Sequence, residues 1–162
     1  MVVVTSSGTA TVTLPTDEQI LITREFDAPA RLVYRAWTEP ELVRRWWSGD
    51  RGEMTSAEID LRVGGTWRFV MTANAGFEVA FHGEYRELVP AVRVVSTEVF
   101  EGMPDAEALN TVTFTEADGR TTVRMLVQHS SQEHRDVHIN SGMEEGMQES
   151  LASLEEVARS LR

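Results

Sequence analysis

The sequence predicts an α+β domain, a curved antiparallel sheet of six or seven strands around one long C-terminal helix, with two short helices after the first strand. Three observations predict it. From Gly52 onward, about eighty residues consist of short β-rich runs separated by Gly, Pro, Asn and Asp, too closely spaced for the crossovers of a parallel sheet. Met143, Met147, Leu151, Leu154, Ala158 and Leu161 then recur as one helical stripe. Between the first strand and the rest lie two short helical patterns, each with a proline in its first turn. A stripe as long as the C-terminal one has to be buried, and only the concave face of a twisted sheet is large enough to receive it.

Residues 1–16, rich in Thr, Ser and Val, are expected to form an N-terminal arm or added edge strand, and residues 17–162 the domain proper. Gln19 to Phe26 reads as the first strand, ended by Asp27-Ala28-Pro29. Leu32, Val33, Ala36 and Trp37 have helical spacing, and Thr38 with Glu41 has the spacing of a capping box for a second short helix carrying Trp46 and Trp47. Met54–Val63 and Thr66–Ala73 read as a hairpin turning at Gly64-Gly65. Next, Phe77, Val79, Phe81, Gly83 and Tyr85 alternate with Glu78, His82, Glu84 and Arg86, a pattern with one face buried. Strands over Val92–Phe100, Leu109–Thr115 and Arg120–His129 complete the sheet, and a loop leads to a second capping-box spacing at Ser141 and Glu144.

Composition excludes several classes. With no Cys there is no disulfide framework, zinc finger, iron–sulfur cluster or thiol nucleophile. A net charge of −11 repels phosphate backbones, and Arg44 with Arg45 is too small a basic patch to reverse that, so no nucleic-acid partner is expected. No apolar run approaches the ~20 residues of a membrane span, and the first residues lack a secretory pattern, so no membrane insertion and a cytoplasmic location are expected. No nucleophile elbow, phosphate loop or dinucleotide fingerprint is present, and neither a cofactor nor a catalytic residue is assigned.

Strand parity turns Trp67, Phe69, Met71, Phe81, Tyr85, Val112, Phe114, Val123, Met125 and Val127 toward the long helix. The ligand-binding set expected from this is Trp47, Trp67, Phe69, Phe81, Tyr85, Phe114, Met125, His129, Met143 and Met147. Of these, Tyr85 and His129 are the polar anchors, and His129 paired with Glu98 or Tyr85 is the arrangement that acid–base chemistry would need. Adjacent indoles at Trp46 and Trp47 cannot face the same way, so one is expected in the core and one at a cavity mouth. His134 and His138 have metal-ligand spacing, but no Glu stands beside the first, and a solvated loop explains them; no metal is expected. Gly142, Gly146, Ser150 and Ser153 form a small-residue stripe that lets the helix lie close to the sheet or leaves a void above it.

The stretches FDAPARLVYRAWTEPELVRRWW, IDLRVGGTWRF, FHGEYRELVPAVRVVST and SGMEEGMQESLASLEEVA, in this order, resemble the activator-of-heat-shock-protein-90-ATPase-homologue-like family. That family sits within the START and birch-pollen-allergen-like (SRPBCC) helix-grip superfamily, and the resemblance covers residues 18–162. It implies a seven-stranded sheet gripping the C-terminal helix over a cavity that takes a small hydrophobic or amphipathic molecule. It also brings a chaperone partner and a role in stress response, as the family name suggests, and leaves a homodimer open. From the superfamily come polyketide cyclization and antibiotic resistance by sacrificial cleavage with an enediyne, for which Gly83 and Gly142 are the candidate hydrogen donors. One departure is visible: the EEGW pattern reads Glu144-Glu145-Gly146-Met147, a thioether in place of an indole.

Overall fold

A computed structural model of the chain describes residues 2–5 and 10–162. Its elements are β1 (Val2–Thr5), β2 (Thr11–Leu14), β3 (Gln19–Phe26), α1 (Ala30–Thr38), α2 (Pro40–Val43), β4 (Gly52–Ile59), β5 (Thr66–Ala73), β6 (Glu78–Val89), β7 (Arg93–Phe100), β8 (Ala108–Ala117), β9 (Arg120–Gln128), α3 (Gln132–Asn140) and α4 (Met143–Ser160). The strands form one sheet in the order β1-β2-β3-β9-β8-β7-β6-β5-β4, with every pairing antiparallel. The strand count is therefore nine rather than six or seven, because the N-terminal arm supplies β1 and β2 beside the seven strands of the domain. The parts of that arm at residues 1 and 6–9 lie outside the described residues.

Register fixes the inner face of the sheet. Ile20 and Ile22 of β3 pair with Val127 and Met125 of β9, which pair with Asn110 and Val112 of β8. Across β7 the row continues as Ser96 and Val94, and in β6 Tyr85 lies opposite Ser96. Trp67 and Phe69 of β5 pair with Gly83 and Phe81 of β6. Helix α4 lies over this face, with Leu151, Leu154, Val157 and Ala158 buried. Val157 is absent from the stripe read in the sequence, but its offset of three from Leu154 puts it on the same side. At the C-terminal half of α4, the Arg24 side chain of β3, 5% exposed, stands 3.5 Å from the Glu155 carboxylate, which also accepts the Asp27 N–H at 2.8 Å.

Helix α1 buries Leu32, Val33 and Ala36, and its Ala30 N–H donates to Glu116 Oε1 at 2.7 Å, so β8 caps the start of the helix. Neither expected capping box forms. Thr38 Oγ1 donates back to the Tyr34 carbonyl at 2.8 Å, and α2 begins from Glu39 without a side-chain cap. Helix α4 starts from Gly142 at φ +83°, while Ser141 Oγ donates to the His138 carbonyl. In both places the hydroxyl serves the turn behind it, a competing local bond that spacing does not distinguish.

Three further expectations are corrected. The first strand of the hairpin ends at Ile59, and Leu61 and Val63 are exposed in a loop tied to β6 by Gly64 N–H to the Tyr85 carbonyl. Phe77, read as part of a buried face, is 60% exposed in the turn before β6. Residues 132–140, read as a loop, form α3, capped by Ser131 Oγ accepting from the His134 N–H at 3.1 Å. Its apolar content is too low for a periodicity signal; the cap was the available clue.

Candidate functional site

The aromatic wall comes from β5, β6 and the segment after α2. Trp47 meets Phe69 and Phe81 edge-on at 5.5 and 5.2 Å between centroids, Trp67 lies 4.8 Å from Phe69, and Phe81 lies 5.2 Å from Phe100. Trp46 turns the other way. It is 6% exposed, and its Nε1 donates to the Ala36 carbonyl at 2.8 Å, while Trp47 keeps part of its surface uncovered. Phe114, buried on β8, makes its ring contacts with Tyr34 and Trp37 of α1.

Coverage of the inner face is uneven. Phe26, Val123 and Leu154 are sealed, and Tyr85, Trp67, Phe69, Val112 and Val127 are buried. Met71, Phe81 and Met125 on the same face, with Trp47, Ile139, Met143 and Met147 from the covering segments, are only partly buried although they pack against the core. Met125 is the clearest case, since both its same-face neighbours along β9, Val123 and Val127, are covered.

Polar side chains share this face. Ser96 and Glu98 of β7 and Asn110 of β8 point inward by register and are partly covered. Burial pushes the Glu98 carboxyl pKa up, opposed by its hydrogen bond to the Asn110 side chain. Burial also raises the Tyr85 hydroxyl pKa, with a further push from Tyr34. Three buried polar atoms on or beside this face, Trp67 Nε1, Asn110 Oδ1 and His129 Nδ1, have no hydrogen-bond partner.

His129, just past β9 and 8% exposed, contacts neither Glu98 nor Tyr85 by hydrogen bond; its Nε2 lies 3.0 Å from His138 Nδ1 of α3. Burial lowers the pKa of His129, helped by His134 and Arg135, and lowers that of His138 to about 4, helped by His129. His134 Nδ1 instead faces Ser130 Oγ at 2.8 Å, so the two His of the i, i+4 pair have different partners. Among the described residues no group of three or more His, Asp or Glu is arranged to hold a metal.

The small-residue stripe packs against the loop after α2 rather than the sheet. Arg51 Nη2 donates to the Gly142 carbonyl at 3.1 Å, a Cβ at Gly146 would come within 2.9 Å of Arg51 Nε, and Ser150 Oγ donates to the Trp47 carbonyl at 2.8 Å. Open surface concavities lie along α3, at Gln132, Asp136 and Val137, and at Glu156, Arg159 and Arg162 of the C-terminus. Neither includes a residue of the expected binding set.

Among the described residues, an antiparallel sheet of nine strands closed over a long C-terminal helix, with α1 and α2 between β3 and β4, defines a helix-grip protein. The sequence profile described as activator of Hsp90 ATPase homolog 1-like protein matches residues 27–159, and the chain belongs to that family, one of ligand-binding or activator domains. Among solved structures, a Rhodobacter sphaeroides protein is similar at 23% identity and a TM-score of 0.86, over 93% of this chain and 99% of its own. A Nitrosomonas europaea protein matches at 24% identity and 0.82, over 91% and 97%, and a Mycobacterium smegmatis protein at 23% and 0.82, over 93% and 98%. These likenesses are of fold. No curated protein matches the chain. Among the described residues no helix is long and apolar enough to cross a membrane.

Sequence reasoning missed Asn110, Ser96 and His138 as members of the interior. Asn110 shares parity with Val112 and Phe114, and Ser96 and Glu98 share it with Val94, so polar residues interrupting an inward row were the readable signal. His138 carried no such signal, since its place depends on α3 being a helix.

Proposed function

We propose that the protein binds a small amphipathic molecule in the space between the inner face of the sheet and the N-terminal half of α4. One observation carries the reading: on a face that buries Phe69, Tyr85, Val112, Val123 and Val127, Met125 and Phe81, and the side chains covering them, Trp47, Met143 and Met147, retain accessible surface. Flexible thioethers suit such a wall, because they adapt to a guest without fixing its shape. Burying apolar ligand surface there contributes about 25 cal/mol per Å². The partnerless polar atoms on the same face supply the orientation that apolar contact lacks.

The test is Met147→Trp, which restores the indole of the family pattern and fills space on the helix side. Nile red, an uncharged probe whose emission rises in apolar surroundings, is expected to bind the native protein, with affinity reduced tenfold or more in the variant. Equal affinity in two equally folded proteins overturns the reading.

A further inference from the structure

Resting on that reading, the inner face also indicates which guest it takes. Trp67 is 6% exposed, and its Nε1 is a buried donor with no partner. That nitrogen hangs over β6, since a Cβ at Gly83 would lie 2.5 Å from it. The flanking register, Phe81 with Phe100 and Tyr85 with Ser96, sets Gly83 across from Glu98, next to where the Glu84 N–H donates to Thr97 Oγ1 at 2.9 Å. Asn110, one strand further and opposite Ser96, bonds Glu98 through its side chain and leaves Oδ1 buried and unpaired. A donor from β5 reaching over β6, a carboxyl on β7 and an acceptor on β8 thus line one run of the inner face, beside the aromatic wall of Trp47, Phe69 and Phe81.

We propose that Trp67, Glu98 and Asn110 are the polar head of the ligand site and that they select uncharged aromatic molecules bearing a hydroxyl or carbonyl group, rejecting carboxylates. A hydroxyl can pair with either orphan, accepting from Trp67 or donating to Asn110, and a carbonyl can accept from Trp67. Leaving such groups unpaired costs about 1–3 kcal/mol each, so a guest that pairs them is preferred over a plain hydrocarbon of the same shape. A carboxylate would bring its charge into the same buried place that already disfavours charge on Glu98. No cation offsets it: the influences on that carboxyl are burial, which raises its pKa, and the Asn110 amide, which lowers it. Arg24, on the same face in β3, is committed to Glu155 and the Phe26 ring, and β9 and β8 separate its strand from β7.

Four probes of one shape test this by quenching of tryptophan fluorescence in the full-length protein at pH 7: 2-naphthol, 2-naphthoate, 2-naphthylmethylammonium and 2-methylnaphthalene. The expected result is that 2-naphthol binds at least tenfold tighter than each of the others. Asn110→Leu and Trp67→Phe should each shrink its advantage over 2-methylnaphthalene, with both probes measured in the same variant, to threefold or less. Binding of all four within threefold of one another, or preference for the naphthoate or the ammonium, overturns the selection and leaves the ligand site standing. Failure of all four and of Nile red removes the ligand site, and the selection with it.

Discussion

Acidification should loosen α3 through the His129–His138 contact. The bond between His129 Nε2 and His138 Nδ1, at 3.0 Å, needs one hydrogen between the two nitrogens; protonating both rings puts a hydrogen on each and breaks it. In the folded protein the His138 pKa is lowered from 6.5 to about 4, chiefly by burial and then by His129. The unfolded chain therefore takes up the proton first as the pH falls. The stabilization is complete above pH 6.5, is lost progressively between 6.5 and 4, and changes no further below that. At about 1.4 kcal/mol per pH unit the ceiling is about 3 kcal/mol, and because the two rings share the contact we expect about 1–3. His134 and Arg135, which also disfavour a charge on His129, act in the same direction. Carboxylates titrate over part of this range, so the assay is a difference: urea unfolding of the native protein and of His138→Phe at pH 7.5, 6, 5 and 4.2. The native protein should lose about 1–3 kcal/mol more than the variant, and amides of 132–140 should exchange faster at the acid end. A difference in stability that is the same at every pH refutes the reasoning.

Two other substitutions test the architecture that positions the site. Gly83→Ala would bring a Cβ to 1.9 Å from the Thr97 carbonyl and 2.5 Å from Trp67 Nε1. A main-chain clash of this kind should cost about 1–3 kcal/mol or more in chemical denaturation, and an unchanged midpoint would mean that β6 approaches β7 at Gly83 less closely than the structure has it. Trp46→Phe removes the donor to the Ala36 carbonyl, leaving that acceptor unpaired in a buried place. Stability should fall by about 1–3 kcal/mol with Nile red affinity unchanged, because Trp46, unlike Trp47, faces the core.

How far the sequence reaches depends on whether a signal is local. The inner-face aromatics were readable because period-two alternation is intrinsic to a strand, and Trp67, Phe69, Tyr85, Phe114 and Val127 are buried as parity requires. Where another element intervenes, parity fails. The β-bulge between Tyr85 and Glu87 turns Leu88 toward the core, and Phe77 ends in a turn. Capping spacings misled at Thr38 and Ser141 because each hydroxyl found a carbonyl behind it. The polar head was the least legible part. Glu98 was named only as a partner for His129, and Asn110 not at all, since their meeting depends on the β7–β8 register. A register is a long-range fact that no window of sequence contains.

The proposed binding requires space beneath a helix whose stripe is apolar. Left to hydrophobic contact alone, α4 would settle onto the sheet and close any gap, since an empty apolar void forfeits dispersion contacts. Several groups outside the inner face contact it along its length. The loop after α2 meets it at Gly142, Gly146 and Ser150, Gln148 exchanges hydrogen bonds with the Ala10 main chain at 3.1 and 2.9 Å, and α1 packs beneath its C-terminal half. The buried residues of α4 begin at Leu151, after this propped segment. Met143 and Met147 lie within it and are only partly buried, so on the proposed reading it is the polar contacts from the flank that keep this half of the helix from closing onto the sheet.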